Sequence, residues 1–380
     1  MGYNDTQQFF LGDLYDISSG LSKNKEQFGS GYPFLSFKTV FNYTIIPTDL
    51  KDLAQTTLSE QNKYSILYGD VFLTRTSETA NELGMSSVAL KDYPQATFNG
   101  FTKRLRPKKG VMEFIDPKFI AYYLRSKDFR NQIDSISVLT TRASLNQGMI
   151  EKLTITVPNI ETQKKIAAIL SALDEKIAIN REINGNLQQQ AFALFDSLFP
   201  RTIDGSQTIG DYINPKRGRN LLSKDAVYGT VPVVAGGLEP STYHNVANTK
   251  APVLTISASG ANAGFVNLWL NPVWSSDSSY IDSSMTPNVF FWYILLKGRQ
   301  KEIFDAQTGS AQPHIYPQHI AAMPIGNLNQ ESVSQFTTQV APLFELIGAN
   351  KDENERLRNI RDALLPRLMS GEFDVTDICI

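Results

Sequence analysis

Apolar residues recur at alternating steps of four and three along two long stretches of this 380-residue chain. The first seam runs Ile166, Leu170, Leu173, Ile177, Asn180, Asn184, Leu187, Ala191, Leu194 and Leu198. The second runs Phe336, Val340, Leu343, Ile347, Asn350, Asn354, Leu357, Arg361, Leu364 and Leu368. Such spacing keeps one stripe of a helix turned toward a partner, so it predicts two long helices that pair as a coiled coil. The seams match position for position, and both carry asparagine at the same two places. A polar defect shared by both stretches marks an internal duplication.

The match extends beyond the seams. Pro117-Lys-Phe-Ile-Ala-Tyr-Tyr-Leu124 is similar to Pro287-Asn-Val-Phe-Phe-Trp-Tyr-Ile294, and Leu145, Ile150 and Leu153 fall on Ile315, Ile320 and Met323. Asp116-Pro117 and Thr286-Pro287 read as helix starts, a capping residue followed by proline in the first turn. Nearer the start of each copy, Gly12-Asp13 and Gly20 match Gly210-Asp211 and Gly218 at a larger offset. The first globular part is therefore the longer, and Lys51 to Ser65 holds part of the excess. Leu11-Gly-Asp-Leu14 and Ile209-Gly-Asp-Tyr212 read as short strand-and-turn openings, with Ser65–Thr74 and Ala251–Ser257 as the clearest strands.

The linker from Phe199 to Gln207 is too short to carry the second globular part away from the end of the first helix. The second helix must then run back, which makes the pair antiparallel and sets Asn180 opposite Asn354 and Asn184 opposite Asn350. Buried asparagines at such positions fix register at a cost in stability; the plainer alternative is that they mark where the helices splay. The seam from Ile166 to Leu198 spans roughly 50 Å at about 1.5 Å per residue. The expected architecture is α+β: two pseudo-symmetric globular domains joined by a long antiparallel two-helix coiled coil. Its boundaries are 1–157 for the first domain, 158–200 for the first long helix, 201–325 for the second domain, 326–372 for the second helix and 373–380 for a tail.

Composition narrows the function without naming it. Hydrophobic content of 42% and charged content of 19% are ordinary for a globular protein. The single cysteine, Cys379, leaves no disulfide framework, and no apolar run is long enough to span a bilayer, so a cytoplasmic protein without a membrane partner is expected. Phosphate-loop, dinucleotide-binding and His-Glu-x-x-His motifs are absent, as is an Asn-Pro-Pro-Tyr-type methyltransferase motif. The three histidines, His244, His314 and His319, form no ligand set by spacing, so no catalytic residue, metal or cofactor is expected in this chain. The chemistry that is present is basic. Lys103, Arg104, Arg106, Lys108 and Lys109 form one run and Lys216, Arg217 and Arg219 another, with Arg75 after the first clear strand. Such side chains anchor phosphates, and arginine also grips guanine edges; solvated surface is the competing reading. Thr140–Leu145 and Ser310–Ile315 add Arg142, Gln312 and His314, in loops that either face a phosphate backbone or lock the following strand. A net charge of −2 requires that any nucleic-acid contact be local or shared with partners.

With Tyr68-Gly-Asp-Val-Phe-Leu-Thr-Arg-Thr-Ser77, Ile256-Ser-Ala-Ser-Gly-Ala261, Pro158-Asn-Ile-Glu-Thr-Gln-Lys-Lys-Ile-Ala-Ala-Ile-Leu170 and Leu364-Leu-Pro-Arg-Leu-Met-Ser-Gly371, the duplicated chain resembles the specificity subunits of type I restriction–modification systems. The resemblance implies two target-recognition domains, each reading half of a split, asymmetric site in double-stranded DNA. It implies helices that space the half-sites and dock two methyltransferase subunits, with restriction subunits completing the complex. Adenine methylation and S-adenosylmethionine would belong to those partners. Two rivals are a bifunctional restriction enzyme, which would show activity alone, and a structural adaptor that bridges proteins without touching DNA.

Overall fold

The computed structural model describes residues 6–76, 82–137, 144–200, 205–309 and 312–375. They form two compact units, residues 1–176 with 356–380, and residues 177–355. The units do not follow the linear partition into domains and helices, because each takes up part of both long helices, Ile160–Leu198 and Gln330–Met369.

Both units are built on one topology. In the first, Gln7–Phe10 pairs with Thr154–Val157 and closes the unit beside the long helix. A four-stranded antiparallel sheet follows, ordered Tyr15–Ser19, Thr102–Pro107, Val71–Thr74, Ser86–Val88. A second sheet sets Phe28–Leu35 between an antiparallel Leu53–Ala54 and a parallel Thr97–Phe98. The second unit repeats each feature. Gln207–Thr208 pairs with Pro324–Ile325; the larger sheet runs Lys216–Arg217, Ser278–Asp282, Val253–Ser257, Val266–Trp269. Its smaller sheet sets Val231–Val234 between antiparallel Thr242–His244 and parallel Trp274–Ser275. Most of the extra chain of the first unit lies between Leu35 and Val71, as helices Phe37–Asn42 and Leu58–Lys63, the latter inside the Lys51–Ser65 segment.

The larger sheet of each unit packs on an aromatic helix. Pro117–Tyr123 buries every residue but Lys118, and its cap is as expected, with Asp116 accepting the Phe119 amide at 2.7 Å. In the second unit the helix begins later, at Val289, because the Thr286 hydroxyl instead accepts the Asn288 amide at 3.1 Å. The openings Leu11–Leu14 and Ile209–Tyr212 are single helical turns rather than strand and turn. Asp211 reaches back to the Thr208 amide at 2.7 Å, a local bond that favours helix. Glycine at the second place lets this turn press on the next helix, since a Cβ on Gly12 would lie 2.9 Å from Glu151 Cβ.

The stretch Ser65–Thr74 is a strand only over Val71–Thr74. Before it, Gly69 adopts φ +85° and Asp70 turns back to accept the Leu67 amide at 2.8 Å. Two arginines hold this turn down. Arg106 grips the fully buried Asp70 carboxylate with two bonds, 2.8 and 2.6 Å, and also donates to the Ser65 carbonyl at 3.0 Å. Arg104 donates to the same carbonyl at 2.6 Å and lies over the Phe98 ring. Burial, then the neighbouring Arg106, pulls the Arg104 guanidinium below its ordinary pKa.

Within each unit the long-helix segments pack against one another. In the first, Ile166, Ala167 and Leu170 share one core with Leu364, Leu365 and Leu368. Arg361 stands where the first seam has alanine; its guanidinium meets Asp174 at 2.6 Å, and Tyr122 donates to that carboxylate at 2.9 Å. An ion pair thus replaces a packed methyl. In the second unit, Ala191 and Phe195 pack with Val333, Phe336, Val340 and Phe344. Asn180 donates to Asn354 at 3.0 Å and to Glu353 at 2.6 Å, and Asn350 donates to Asn184 at 2.8 Å. The pairs ascend on one segment as they descend on the other, so these segments run antiparallel. No described helix is long and apolar enough to cross a membrane.

Asp70→Ala removes both carboxylate acceptors of Arg106 and leaves its guanidinium facing an emptied buried site. It is expected to destabilise the first unit by roughly 3–5 kcal/mol, read as a lowered urea midpoint; a loss below about 1 kcal/mol would mean that water substitutes for the clamp. Asn180 Oδ1 is buried without a hydrogen-bond partner. Replacing Asn180 and Asn354 together by leucine is therefore expected to raise the melting temperature, and to admit other alignments visible as mixed species on size exclusion. A lower melting temperature would show that the amides stabilise more than they cost.

Candidate nucleic-acid interface

Strand register gives a residue-for-residue equivalence between the two units. Val71 faces Leu105 as Leu254 faces Ile281. The Arg75 amide donates to the Phe101 carbonyl at 2.9 Å, as Ala258 does to Asp277 at 3.1 Å. Leu145 then donates to Arg75 at 2.8 Å, as Ile315 does to Ala258 at 2.9 Å. Ser19 pairs with Lys103, and Arg217 with Ser279. Arg75, Phe101, Lys103 and Ser19 thus occupy the places of Ala258, Asp277, Ser279 and Arg217, at one end of the larger sheet. Gly20 and Gly218 follow in each case. A Cβ there would sit 2.2 Å from the Asn99 carbonyl oxygen or 2.5 Å from that of Ser275, so only glycine lets the strand leave across its neighbour.

The chemistry at this shared place differs. In the first unit Lys103 is half-buried and donates to the Ser19 hydroxyl at 2.8 Å. Burial lowers its pKa below the ordinary lysine value, and the positive charge of Arg75 lowers it further. Two adjacent cations with the exposed ring of Phe101 beside them form an anion-seeking, partly apolar edge. In the second unit the exchanged pair holds arginine on the other strand, and Arg217 meets Asp277 at 2.5 Å. Asp277 also accepts the Ser259 hydroxyl. The charge there is balanced, leaving oriented donors and acceptors rather than a net field.

The remaining candidates scatter. Arg104 and Arg106 face the smaller sheet and clamp the Ser65–Asp70 turn, and Lys108 donates to the Gly12 carbonyl at 2.6 Å. These three serve the fold; alternation along the strand turned both arginines inward. Lys109 is exposed in the turn after the strand, roughly 15–20 Å from Lys103 at about 3.3 Å per residue, so the basic run is not one patch. Lys216 and Arg219 are exposed. Gln312 is exposed, while His314 exchanges backbone bonds with Thr308 at 2.8 and 3.0 Å, bridges to Ser259 and stacks on Tyr316. The loop before Ile315 therefore locks the strand and also brings His314 against Ser259, whose hydroxyl bonds Asp277. Arg142 and Cys379 lie outside the described residues. Among the described residues no three His, Cys, Asp or Glu side chains converge as a metal set. Phe101, Asp277 and Ser259 were not sequence candidates. Phe101 was legible as the next alternating position before Lys103, whereas nothing in the sequence linked Asp277 to Arg217.

Comparison with known proteins agrees with this geometry. Residues 3–189 match the family model described as the type I restriction modification DNA specificity domain. The MjaIX specificity subunit of Methanocaldococcus jannaschii is 24% identical, over 97% of this chain and 93% of that protein. The HindI specificity subunit of Haemophilus influenzae is 22% identical, over 97% and 100%. The crystal structure of the type I restriction–modification S subunit from M. genitalium shares the fold, with a TM-score of 0.59 and 19% identity over 96% of each chain. Residues 3–189 thus match the DNA specificity domain of the type I restriction–modification family, and the duplicated α+β unit and the curated relatives extend the similarity to type I specificity subunits along almost the whole chain.

Proposed function

We propose that this chain is the non-catalytic DNA-recognition subunit of a type I restriction–modification complex, and that it reads a bipartite, asymmetric site. The observation that carries the reading is the exchange at one place on a common sheet. Arg75, Phe101 and Lys103 in one unit answer Ala258, Asp277 and Ser279 in the other. One scaffold bearing two chemistries suits two different half-sites, because base edges are distinguished by donor and acceptor pattern. Phosphate anchoring falls to Arg75, Lys103, Lys109, Lys216 and Arg219.

The long helices set the separation of the half-sites, about 15 base pairs for a seam of roughly 50 Å. They also dock two methyltransferase subunits. Ile179 and Ile183, one turn apart on the first helix, are exposed while the neighbouring seam residues Ile177 and Asn180 are buried, which leaves apolar surface for a partner. Methyl transfer with S-adenosylmethionine, and cleavage by restriction subunits, reside in those partners. Shared neutralisation of phosphates by the partners accounts for the net charge of −2.

Mapping methylated adenines in cells with and without this chain is expected to reveal a two-part, non-palindromic motif that depends on it. Inserting one heptad in both helices is expected to move the two parts of the motif apart or abolish binding. Absence of a dependent motif overturns the DNA reading and favours an adaptor; methylation or cleavage by the purified chain alone favours a bifunctional enzyme. Unchanged spacing after the insertion overturns the ruler. Replacing Arg75 and Lys103 by alanine is expected to weaken DNA binding and to flatten its log–log salt dependence by about 0.9 for each phosphate no longer neutralised. An unchanged slope removes that edge from the interface.

A further inference from the structure

The second unit carries an aromatic side chain that contributes nothing to its own core. Tyr228 is 98% exposed, in the loop between Lys216–Arg217 and Val231–Val234. The loop itself is held firmly. The Val227 amide donates to Nδ1 of the buried His244 at 3.0 Å. Gly229 lies flat on the same strand, where a Cβ would meet the His244 carbonyl oxygen at 2.3 Å. His244 stands edge-on to Trp274 at 5.1 Å, and the Trp274 indole donates to the Arg219 carbonyl at 2.8 Å. The Arg219 amide donates in turn to Ser275 at 2.9 Å. One bracket of His244 and Trp274 therefore fixes the backbone at Arg219 and again at Val227, the residue next to Tyr228. By sheet register, with Leu35 in the place of Val234, the matching segment of the first unit carries Phe28, whose ring packs on Phe34 at 5.2 Å instead of standing free.

An aromatic ring left fully in water on a rigid loop is poised for a partner. Tyrosine covers much apolar area with few torsions to freeze, and its hydroxyl can donate or accept. An exposed arginine at the base of the same loop directs that partner toward a phosphate backbone. We propose that Tyr228 is a base-contacting, specificity-determining residue of the second unit and Arg219 its phosphate anchor, held at fixed spacing by the positioning residues His244 and Trp274. This rests on the DNA-recognition reading and assigns it a residue. It also gives the second unit a free ring where the first has Phe28 packed on its own sheet.

The test uses the full chain assembled with its methyltransferase subunits and a randomised duplex library, with bound sequences recovered at several salt concentrations. The unaltered complex is expected to recover a two-part motif. Tyr228→Ala is expected to lose preference, roughly tenfold, at one or two adjacent positions in one part only. Tyr228→Phe, which keeps the ring, retains most of it. Arg219→Ala is expected to weaken all recovered sequences evenly and lower the salt slope by about 0.9. An unchanged motif with Tyr228→Ala, or an even loss across both parts, overturns the assignment of Tyr228. An unchanged slope with Arg219→Ala overturns the anchor. If Tyr228→Ala instead loses the methyltransferase subunits on size exclusion while the motif persists, the ring serves a protein contact and the proposal fails. No motif from the unaltered complex overturns the DNA-recognition reading itself, a result distinct from all of these.

Discussion

Each unit completes its core with parts of both long helices, and for the first unit this takes two separate stretches of chain. In the first, the side chains that close over Ile166 and Leu170 are Leu364 and Leu368, from the far end of the sequence. In the second, Phe336 and Phe344 are covered partly by Ala191 and Phe195 from the preceding helix. An amphipathic helix must bury its apolar stripe somewhere, and here each stripe is divided between two cores. The consequence is discontinuity: the first unit lacks part of its interior until the second long helix has been made. The Arg361–Asp174 pair and the Asn180–Asn354 amides lie in the same seam and supply direction where leucine would supply only affinity.

That shared frame leaves the sheets free to vary. Both larger sheets keep strand order, register and the glycine that lets the edge strand depart. What changes is the set of polar side chains at one end. Two cations and a phenylalanine on one sheet correspond to a serine, an alanine and an acid on the other, with the basic residue moved one strand over to Arg217. A fold that holds its backbone this constant can alter what it binds without altering how it is held together.

The near-neutral charge of the chain has a structural counterpart. Much of its arginine is used inside: Arg104 and Arg106 on a turn, Arg125 on four backbone carbonyls, Arg299 on the Pro324 carbonyl and Glu302. Other basic side chains remain at the surface, but 38 acidic residues against 36 basic ones leave no net positive charge, which fits the proposal that partners share phosphate neutralisation.

The sequence by itself determined the duplication, the two long helices, the paired asparagines and the glycines at Gly20 and Gly218, because each is a matter of period or of repeated spacing. Only the tertiary structure decided which basic residues remain available, since a strand turns alternate side chains to opposite faces and burial depends on what packs there. Thus Arg104 and Arg106 became internal clamps, Lys109 was carried to the other end of the strand, and the openings Leu11–Leu14 and Ile209–Tyr212 became helical turns through local bonds and packing. The partnership of Arg217 with Asp277, and of Val227 with His244, joins residues distant in sequence. Such contacts are set by sheet register, and no local pattern of residues encodes them.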